Sequence, residues 1–167
     1  MNASITTDHY ILNSIDLSHA NMDNYLKWMR NTGLNIFIQG VKANYTIEEL
    51  KSYVEDKNNS STALLLGIYD KKSLLHIGNI KLEPLIPSDK ACIGILIGET
   101  RYRGKGVGTE VINALITFAS IEFEIKYFYL GVDPDNLAAL HLYRKLGFQV
   151  NLKPKFIDAG IQMDLRI

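Results

Sequence analysis

The stretch RYRGKGVGTE, residues 101–110, constrains the fold of this chain more than any other, because three alternating glycines join an apolar run to a helix-like run. The glycines stand in the segment GKGVG, residues 104–108, and two arginines, Arg101 and Arg103, come just before it. Backbone N–H groups at the start of a helix can cradle an anion, and glycines let the backbone approach it without a side-chain clash. The stretch therefore predicts a strand, a phosphate-binding loop and a helix, in that order.

Two common phosphate-binding loops do not fit this stretch. A Walker-type loop requires a glycine, four residues and then Gly-Lys-Ser/Thr. Here five residues separate Gly98 from Gly104, and Gly106 stands where serine or threonine is required. A Rossmann fingerprint requires a third glycine where this chain has Thr109 or Val111. Both interpretations fail, which leaves a third kind of glycine loop to consider.

The length and the charge of the chain limit the number of domains and the kinds of partner that we expect. A chain of 167 residues fits one domain, residues 1–167, with a sizeable core. Its 18 basic and 18 acidic residues give zero formal charge, so no basic excess favours a nucleic-acid partner. No apolar run approaches the roughly 18 residues that span a membrane, and the N-terminus lacks a basic region followed by an apolar core. We therefore expect a cytoplasmic protein with no nucleic-acid and no membrane partner.

Cys92 is the one cysteine of the chain, which rules out an intrachain disulfide. It lies within the apolar run ACIGILIG, so we interpret it as a buried small hydrophobic residue rather than a nucleophile. No group of cysteines and histidines has the spacing of a zinc site. We therefore expect no metal cofactor.

The hydrophobic pattern predicts the element order βααβββαβαββ, a mixed α/β domain without internal repeats. Thr46 and Glu49 form a capping box at the start of the second helix, and Gly147 ends the last helix. A loop or irregular segment, NTGLNIFIQG, lies between the first two helices. The predicted strands are HYILNSID, TALLLGIYD, LLHIGNIKLEP, ACIGILIGE, KYFYLGV, FQVNLK and GIQMDLRI.

A second motif indicates which class of protein the glycine loop is typical of. Residues 103–108 fit the pattern Arg/Gln-x-x-Gly-x-Gly/Ala between a strand and a helix. One strand later comes NLAALHLYRKLGF, residues 136–148, with Asn, Ala, Tyr and Gly-Phe at fixed spacing. In this order the two motifs closely resemble the GNAT superfamily of acetyl-CoA-dependent N-acetyltransferases. The resemblance is detailed over roughly residues 60–150 and rests on element order alone before them.

The resemblance implies one domain with a mixed, mostly antiparallel sheet of six to seven strands, flanked by about four helices. Residues 1–60 would supply the acceptor-side helices and loop, residues 61–150 the acetyl-CoA-binding core, and residues 151–167 the C-terminal strands. The strand before the glycine loop and the strand after the following helix would splay apart and hold the pantetheine arm of acetyl-CoA. The resemblance does not fix the oligomeric state, and a homodimer is one of the alternatives.

The same resemblance implies which residues contact acetyl-CoA. The arm would pair with the backbone near Ile97 and Gly98, where a glycine in an apolar strand suits a bulge or a close backbone approach. Asn136 would lie near the arm and also cap the helix that follows it. The diphosphate would lie on the loop formed by Arg103, Gly104, Lys105, Gly106, Val107 and Gly108.

Tyr143 is the expected general acid, because a phenol near the sulfur can donate a proton to coenzyme A as it leaves. A backbone N–H near Gly98 would stabilise the oxyanion. The attacking amine must also lose a proton, and here the residues leave several alternatives. Glu99 and Glu83 are the candidate general bases, with His76 or a chain of water molecules as alternatives.

The segment KWMRNTGLNIFIQGVKANYT, residues 27–46, would shape the acceptor pocket. It resembles the branch with ribosomal-protein, spermidine and nucleotide-linked amino-sugar acetyltransferases. A polyamine favours a strongly acidic pocket, which this segment does not offer. Its aromatic, amide and arginine side chains suit a sugar nucleotide or a peptide end; they are Trp28, Arg30, Phe37, Gln39, Asn44 and Tyr45. We expect a small-molecule amine such as a nucleotide-linked amino sugar, with a protein α-amine as the alternative.

Two readings from other functional classes stay open. The domain could be a non-catalytic acyl-CoA-binding module, although the presence of Tyr143 argues against it. It could also be a nucleotide-binding protein without transferase activity, on the strength of the glycine loop alone. Turnover of acetyl-CoA separates an enzyme from the first reading, and failure to bind any coenzyme A species would support the second.

Overall fold

A computed structural model of the chain describes residues 3–31, 44–85, 89–157 and 160–167. These residues form one eight-stranded sheet with four α-helices and one 3-10 turn at Thr100–Tyr102. The strands are β1 Ile5–Thr6, β2 Tyr10–Ser14, β3 Leu64–Asp70, β4 His76–Glu83, β5 Lys90–Ile97, β6 Tyr127–Val132, β7 Gln149–Val150 and β8 Ile161–Arg166. The helices are α1 His19–Arg30, α2 Ile47–Asn59, α3 Val107–Glu122 and α4 Leu137–Lys145.

The predicted mixed α/β fold is confirmed, with eight strands in place of six to seven. The additional strand, β1, has only two residues, too few for a side-chain alternation to be visible in the sequence. The predicted FQVNLK strand shrinks to β7, residues 149–150. The predicted irregular segment NTGLNIFIQG lies, from residue 32 onward, outside the described residues.

Local signals in the sequence fix several ends of these elements. Thr46 accepts a hydrogen bond from the backbone N–H of Glu49, and the Glu49 side chain accepts one from the backbone N–H of Thr46, so the predicted capping box is confirmed. Gly147 has a φ of +91° just beyond α4, as a glycine stop requires.

Within the described ranges, no helix is long and apolar enough to cross a membrane.

The sheet order is β1-β2-β3-β4-β5-β6-β8-β7, and every neighbouring pair is antiparallel except β5 with β6. The parallel pair extends over only three residue pairs, the last of which is Cys92 with Tyr129. Beyond it β5 continues to Ile97 and β6 to Val132 without pairing to each other. The predicted splay is therefore present, as a cleft between Ile93–Ile97 and Leu130–Val132.

Helices cover both faces of the sheet, which explains why LLLGI, residues 64–68, is buried without interruption. On one face α3 and α4 pack over the strands, and the core there includes Ile93, Val111, Ile112, Leu115, Phe128 and Tyr143. On the other face α1 and α2 contribute Met22, Trp28, Leu50 and Val54, which pack with Leu65 of β3 and against Leu96 of β5. The cleft between β5 and β6 therefore opens between two helical layers.

Gly98 is the point where α1 approaches the end of β5 most closely. A Cβ atom on Gly98 would lie 2.0 Å from the indole ring of Trp28. The backbone N–H groups of Gly98 and Glu99 both donate to the carbonyl of Ile77, at 2.9 and 3.1 Å, which is a bulge-like irregularity. The predicted close approach at Gly98 is confirmed, and the group that fills the space is Trp28.

Replacing Gly98 with alanine should destabilise the protein, because the new methyl group and the Trp28 ring cannot occupy the same space. We expect Gly98→Ala to lower the free energy of unfolding by about 1–3 kcal/mol, the usual cost of overpacking. Gly94→Ala is the matched control on the same strand, since its Cβ would meet nothing closer than Lys81 Cε at 3.9 Å. Urea unfolding of both variants checks this, and equal losses of stability would contradict it.

Candidate active site

The glycine loop has the backbone geometry of an anion cradle. Gly104 and Gly106 have φ angles of +70° and +82°, a region that other residues rarely adopt. Gly106 is the N-cap of α3 and provides no side-chain cap, so the first turn of the helix presents backbone N–H groups without a capping acceptor. Nothing lies within 4 Å of the position of a Cβ on either glycine. An anion can therefore approach the start of α3 directly.

The remaining residues of the loop have different tasks. The Arg103 guanidinium donates to the Ile97 carbonyl from Nε at 2.9 Å and from Nη2 at 2.7 Å, which ties the loop to the end of β5. Lys105 is exposed and free to add charge. Val107 is buried and anchors α3 in the core. Gly108 lets α4 approach, because a Cβ there would lie 2.7 Å from Leu142.

The edge of β5 that borders the cleft carries unpaired backbone groups. In an antiparallel ladder, successive residues direct their N–H and C=O groups to opposite edges of the strand. Gly98 donates to Ile77 on the β4 side, so Ile97, Ile95 and Ile93 direct theirs into the cleft, where the Ile97 carbonyl already accepts two hydrogen bonds from Arg103. The expected oxyanion donor near Gly98 is therefore not Gly98 itself. An extended arm in the cleft can pair with these three residues instead.

Tyr143 lies on α4 in the layer beneath the cleft. It is 8% exposed and packs at a tilt against Phe148, with 5.9 Å between the ring centroids. Burial, followed by the electrostatic effect of Cys92, raises the pKa of Tyr143 to about 12. No hydrogen-bond partner of its hydroxyl is found in the part of the chain that the structure describes, and the hydroxyl is not among the fully buried unpaired atoms. The phenol is thus protonated at neutral pH and free to donate.

Asn136 caps the helix that carries Tyr143. Its Oδ1 accepts a hydrogen bond from the backbone N–H of Ala139 at 3.1 Å, which confirms the predicted cap. The cap fixes the start of α4, and Tyr143 follows two turns later.

Glu83 lies at the end of β4, opposite Cys92, the last residue of β5 that pairs with β6. Its two carboxylate oxygens accept hydrogen bonds from Lys57 and Lys81, one each. Burial alone would raise the pKa of Glu83, but the hydrogen bonds and charges of the two lysines outweigh it and hold the pKa below its usual value. Glu83 is therefore ionised at neutral pH.

Cys92 is half-buried, less enclosed than the sequence indicated. Burial is the largest influence on its thiol and raises the pKa, so the thiol is a poor nucleophile at neutral pH. The same thiol interacts electrostatically with Tyr143, Glu83 and Lys81. Cys92 marks the closed end of the cleft, because it is the last residue of β5 that pairs with β6.

Glu99 lies at the other end of β5, beside the glycine loop. Its Oε1 accepts a hydrogen bond from the Trp28 indole N–H at 3.3 Å, and its Oε2 lies 3.9 Å from Arg101 Nε. The structure therefore separates the two predicted carboxylates. Glu83 lies opposite Cys92, at the closed end of the cleft, and Glu99 lies at the open end.

His76 is enclosed in an aromatic layer on the α1 side of the sheet. It is 1% exposed, stacks on Tyr69 and meets the edge of Trp28, with centroid distances of 4.9 and 5.0 Å. Its Nε2 forms a 2.8 Å hydrogen bond with Asn79 Oδ1, and burial lowers its pKa, which keeps the ring neutral.

The predicted acceptor segment is only partly described. Trp28 is buried against Gly98, and Arg30 donates to the Tyr45 carbonyl at 3.1 and 2.7 Å from Nε and Nη2. Phe37 and Gln39 lie outside the described residues. Among the described residues there is no group of three or more His, Cys, Asp or Glu side chains that could hold a metal ion.

Sequence reasoning missed Lys57, Lys81 and Tyr129. They reach the closed end of the cleft from α2, β4 and β6, three elements that are distant in the sequence. The alternation of Lys81 and Glu83 along β4 was a visible signal. The strand register that places Lys81 opposite Gly94 and Glu83 opposite Cys92 could not be seen in the sequence.

Several known proteins are similar to this chain in sequence or in fold. A family model described as an acetyltransferase (GNAT) domain matches residues 11–149. A spermine/spermidine N(1)-acetyltransferase of Bacillus subtilis is 28% identical over 109 residues, which cover 63% of this chain and 72% of that protein.

Two solved structures are similar over nearly the whole chain. The spermidine N-acetyltransferase of Vibrio cholerae, in complex with CoA and spermine, has a TM-score of 0.78 at 18% identity and covers 94% of this chain and 95% of its own. A ribosomal L7/L12 alpha-N-protein acetyltransferase in complex with coenzyme A has a TM-score of 0.81 at 17% identity, with 99% and 98% covered. At these identities the likeness establishes the shared fold.

Substitution of Gly106 tests the anion cradle. Gly106→Val should abolish binding of acetyl-CoA, because valine strains a φ of +82° and places a branched side chain where an anion would approach. Gly160→Val is the matched control, since Gly160 has nearly the same φ, +83°, just before β8. Calorimetric titration with acetyl-CoA, on variants shown to be folded by circular dichroism, measures the effect. Retained binding in a folded Gly106→Val protein would overturn the assignment of the loop.

Proposed function

The chain belongs to the GNAT acetyltransferase family, and we propose that it transfers an acetyl group from acetyl-CoA to a primary amine by direct reaction in a ternary complex. The observation that carries this proposal is the loss of pairing between β5 and β6, with the glycine loop at its open end and Tyr143 beneath it. A cleft of this form offers an extended arm both backbone partners and a proton donor.

In this proposal the loop and the edge of β5 hold acetyl-CoA. The diphosphate lies against the N–H groups at the start of α3, with Lys105 beside it and Arg103 holding the loop to β5. The arm pairs with the cleft-facing edge of β5, at the N–H of Ile97, whose carbonyl is held by Arg103, and at the backbone groups of Ile95 and Ile93. Those residues extend about 13 Å along the strand, so the thioester lies near the closed end of the cleft.

The chemistry at the closed end requires one proton donor and one proton acceptor. The amine nitrogen forms a bond to the thioester carbon, the carbon–sulfur bond breaks, and the sulfur takes a proton from the Tyr143 hydroxyl. A backbone N–H of β5 in the cleft stabilises the oxygen that becomes negative. With its raised pKa, Tyr143 is protonated across the physiological range, so the hydroxyl carries the proton that the sulfur takes.

Of the two predicted carboxylates, Glu83 is the one that we propose to receive the proton of the amine. It lies opposite Cys92 at the closed end of the cleft, whereas Glu99 is held by Trp28 at the other end. Its lowered pKa makes it an ionised but weak base. A bridging water that passes the proton to Glu83 is compatible with this arrangement.

The sequence and the similar proteins point to different acceptors. A nucleotide-linked amino sugar and a protein α-amine were the two acceptors favoured by the composition of residues 27–46. The similar proteins are named for spermine, spermidine and ribosomal L7/L12, and their names give no support to an amino sugar. We therefore propose a primary amine of a small molecule or a peptide.

Removal of the Tyr143 hydroxyl tests the chemistry. Tyr143→Phe should lower turnover roughly 10²–10⁴-fold, the usual contribution of a general acid, while the affinity for acetyl-CoA stays nearly unchanged. Tyr10→Phe, which removes the hydroxyl of another buried tyrosine on β2, should leave turnover unaffected.

Thiol release from acetyl-CoA, measured with a panel of primary amines, follows both variants. Equal turnover in Tyr143→Phe and the unaltered protein would remove Tyr143 from the mechanism. Tight binding of acetyl-CoA without transfer to any amine would favour the non-catalytic acyl-CoA-binding module.

A further inference from the structure

Two lysines and one glutamate form a cluster at the closed end of the cleft, on the side of α1 and α2; its members are Lys57, Lys81 and Glu83. We propose that this lysine–glutamate cluster binds an anionic group of the acceptor, a carboxylate or a phosphate, near the amine that is acetylated. The inference rests on the proposed acetyl transfer and deepens it, because it names the chemical class of the acceptor.

The cluster is placed by the register of the sheet. Lys81 and Glu83 alternate along β4 and therefore share one face of the sheet, opposite Gly94 and Cys92 of β5. Because Gly94 has no side chain, the Lys81 chain lies over it, with Cε 3.9 Å from the position of a Cβ. The Lys81 side chain thus lies over β5 just beyond the point where that strand leaves β6, and its ammonium turns to Glu83.

A second helical element completes the cluster. Lys57 lies in the last turn of α2 and binds Glu83 from the helical layer, while its ammonium lies 5.8 Å from the ring centroid of Tyr53. The side chains of the three members are between 25% and 31% exposed, so a ligand can reach them. The cluster therefore faces the space between α2 and the sheet.

The charges of the cluster do not balance. Two ammonium groups share one carboxylate, which leaves a net charge of +1. Each ammonium carries three N–H donors and uses one on Glu83. No other ion pair of Lys57 or Lys81 is found among the described residues. The unused donors and the excess charge suit an oxyanion, and partial burial strengthens the attraction over that of a fully exposed pair.

The diphosphate of acetyl-CoA cannot be the anion that this cluster binds. Gly94, beneath Lys81, lies about 10 Å along β5 from Ile97, and the glycine loop begins beyond the 3-10 turn that follows. The cluster and the loop therefore lie at opposite ends of the cleft. An anion at the cluster belongs to the molecule that meets the thioester from the acceptor side.

The cluster also predicts which amines should bind poorly. A polyamine would bring additional positive charges toward a site with a net charge of +1, which costs free energy at short range. Here the local charge differs from what the named substrates of similar proteins would suggest, since two of those proteins are named for spermine or spermidine. We expect this chain to favour acceptors in which an anion accompanies the amine.

Paired amines that differ in one anionic group test this inference. One pair is glucosamine 6-phosphate against glucosamine, and the other is glycylglycine against glycylglycinamide, with spermine as a polycation. The affinity of each is measured by calorimetry on protein saturated with coenzyme A, so that the result does not depend on turnover. We expect the anionic member of at least one pair to bind ten times more tightly or better, and spermine to bind weakly.

Variants of Lys57 and Lys81 show whether these two residues cause the preference for the anionic amine of a pair. Lys81→Met and Lys57→Met keep most of the aliphatic chain and should each reduce the preference to near unity. Lys72→Met, in the exposed turn between β3 and β4, should leave it intact. Unaltered affinity for coenzyme A and an unaltered circular dichroism spectrum show that each variant is folded.

The outcomes separate this inference from the proposed function. Equal affinities within both pairs, a preference that survives in both lysine variants, no detectable binding of any member, or tightest binding of spermine would each overturn the anion site. Acetyl transfer from acetyl-CoA to the same amines is then measured independently. A lysine-dependent preference without transfer would support the anion site and count against the enzyme, whereas transfer without a preference would do the reverse.

Discussion

The whole site depends on one interrupted interaction, the pairing of β5 with β6. The two strands exchange backbone hydrogen bonds only from Lys90–Tyr127 to Cys92–Tyr129 and then separate. The separation is sustained from both outer edges, because β5 stays paired to β4 and β6 stays paired to β8 along their lengths. Unpaired backbone groups inside a sheet are costly unless a partner satisfies them. In the proposed function, the extended arm of acetyl-CoA would be that partner.

Two helical layers give the cleft a different chemistry on each side. The layer of α3 and α4 supplies the glycine loop at the open end and the Tyr143 phenol beneath the strands. The layer of α1 and α2 supplies Trp28, which fixes Glu99, and Lys57, which joins Lys81 and Glu83 at the closed end. In the reaction and the anion site that we propose, proton donation and anion recognition come from opposite faces of one sheet. The gap in the sheet is the passage through which the two faces can act on one pair of substrates.

Much of this site could be predicted where function depends on local spacing. The positive φ of Gly104 and Gly106 follows from a loop that must turn into α3, and the Asn136 cap follows from its position before α4. Residues whose role depends on strand register could not be predicted. Glu83 and Glu99 looked equivalent as carboxylates near strand ends, yet the pairing of β4 with β5 sends them to opposite ends of the cleft. The close contact of Gly98 with Trp28 was likewise not visible in the sequence, because the two residues come from distant elements.

The sequence alone determined the mixed α/β class, the strand–loop–helix unit at residues 101–110 and the tyrosine two turns into the last helix, because each depends on contacts between residues close in the chain. The tertiary structure alone decided which side chains meet. It set Lys81 across Gly94, brought Lys57 from α2 to Glu83, and turned the N–H of Gly98 away from the cleft. The physical reason is that a strand's side chains and backbone groups alternate in direction. A shift of one residue in register would exchange every partner, and register is fixed only when the neighbouring strands and helices have packed.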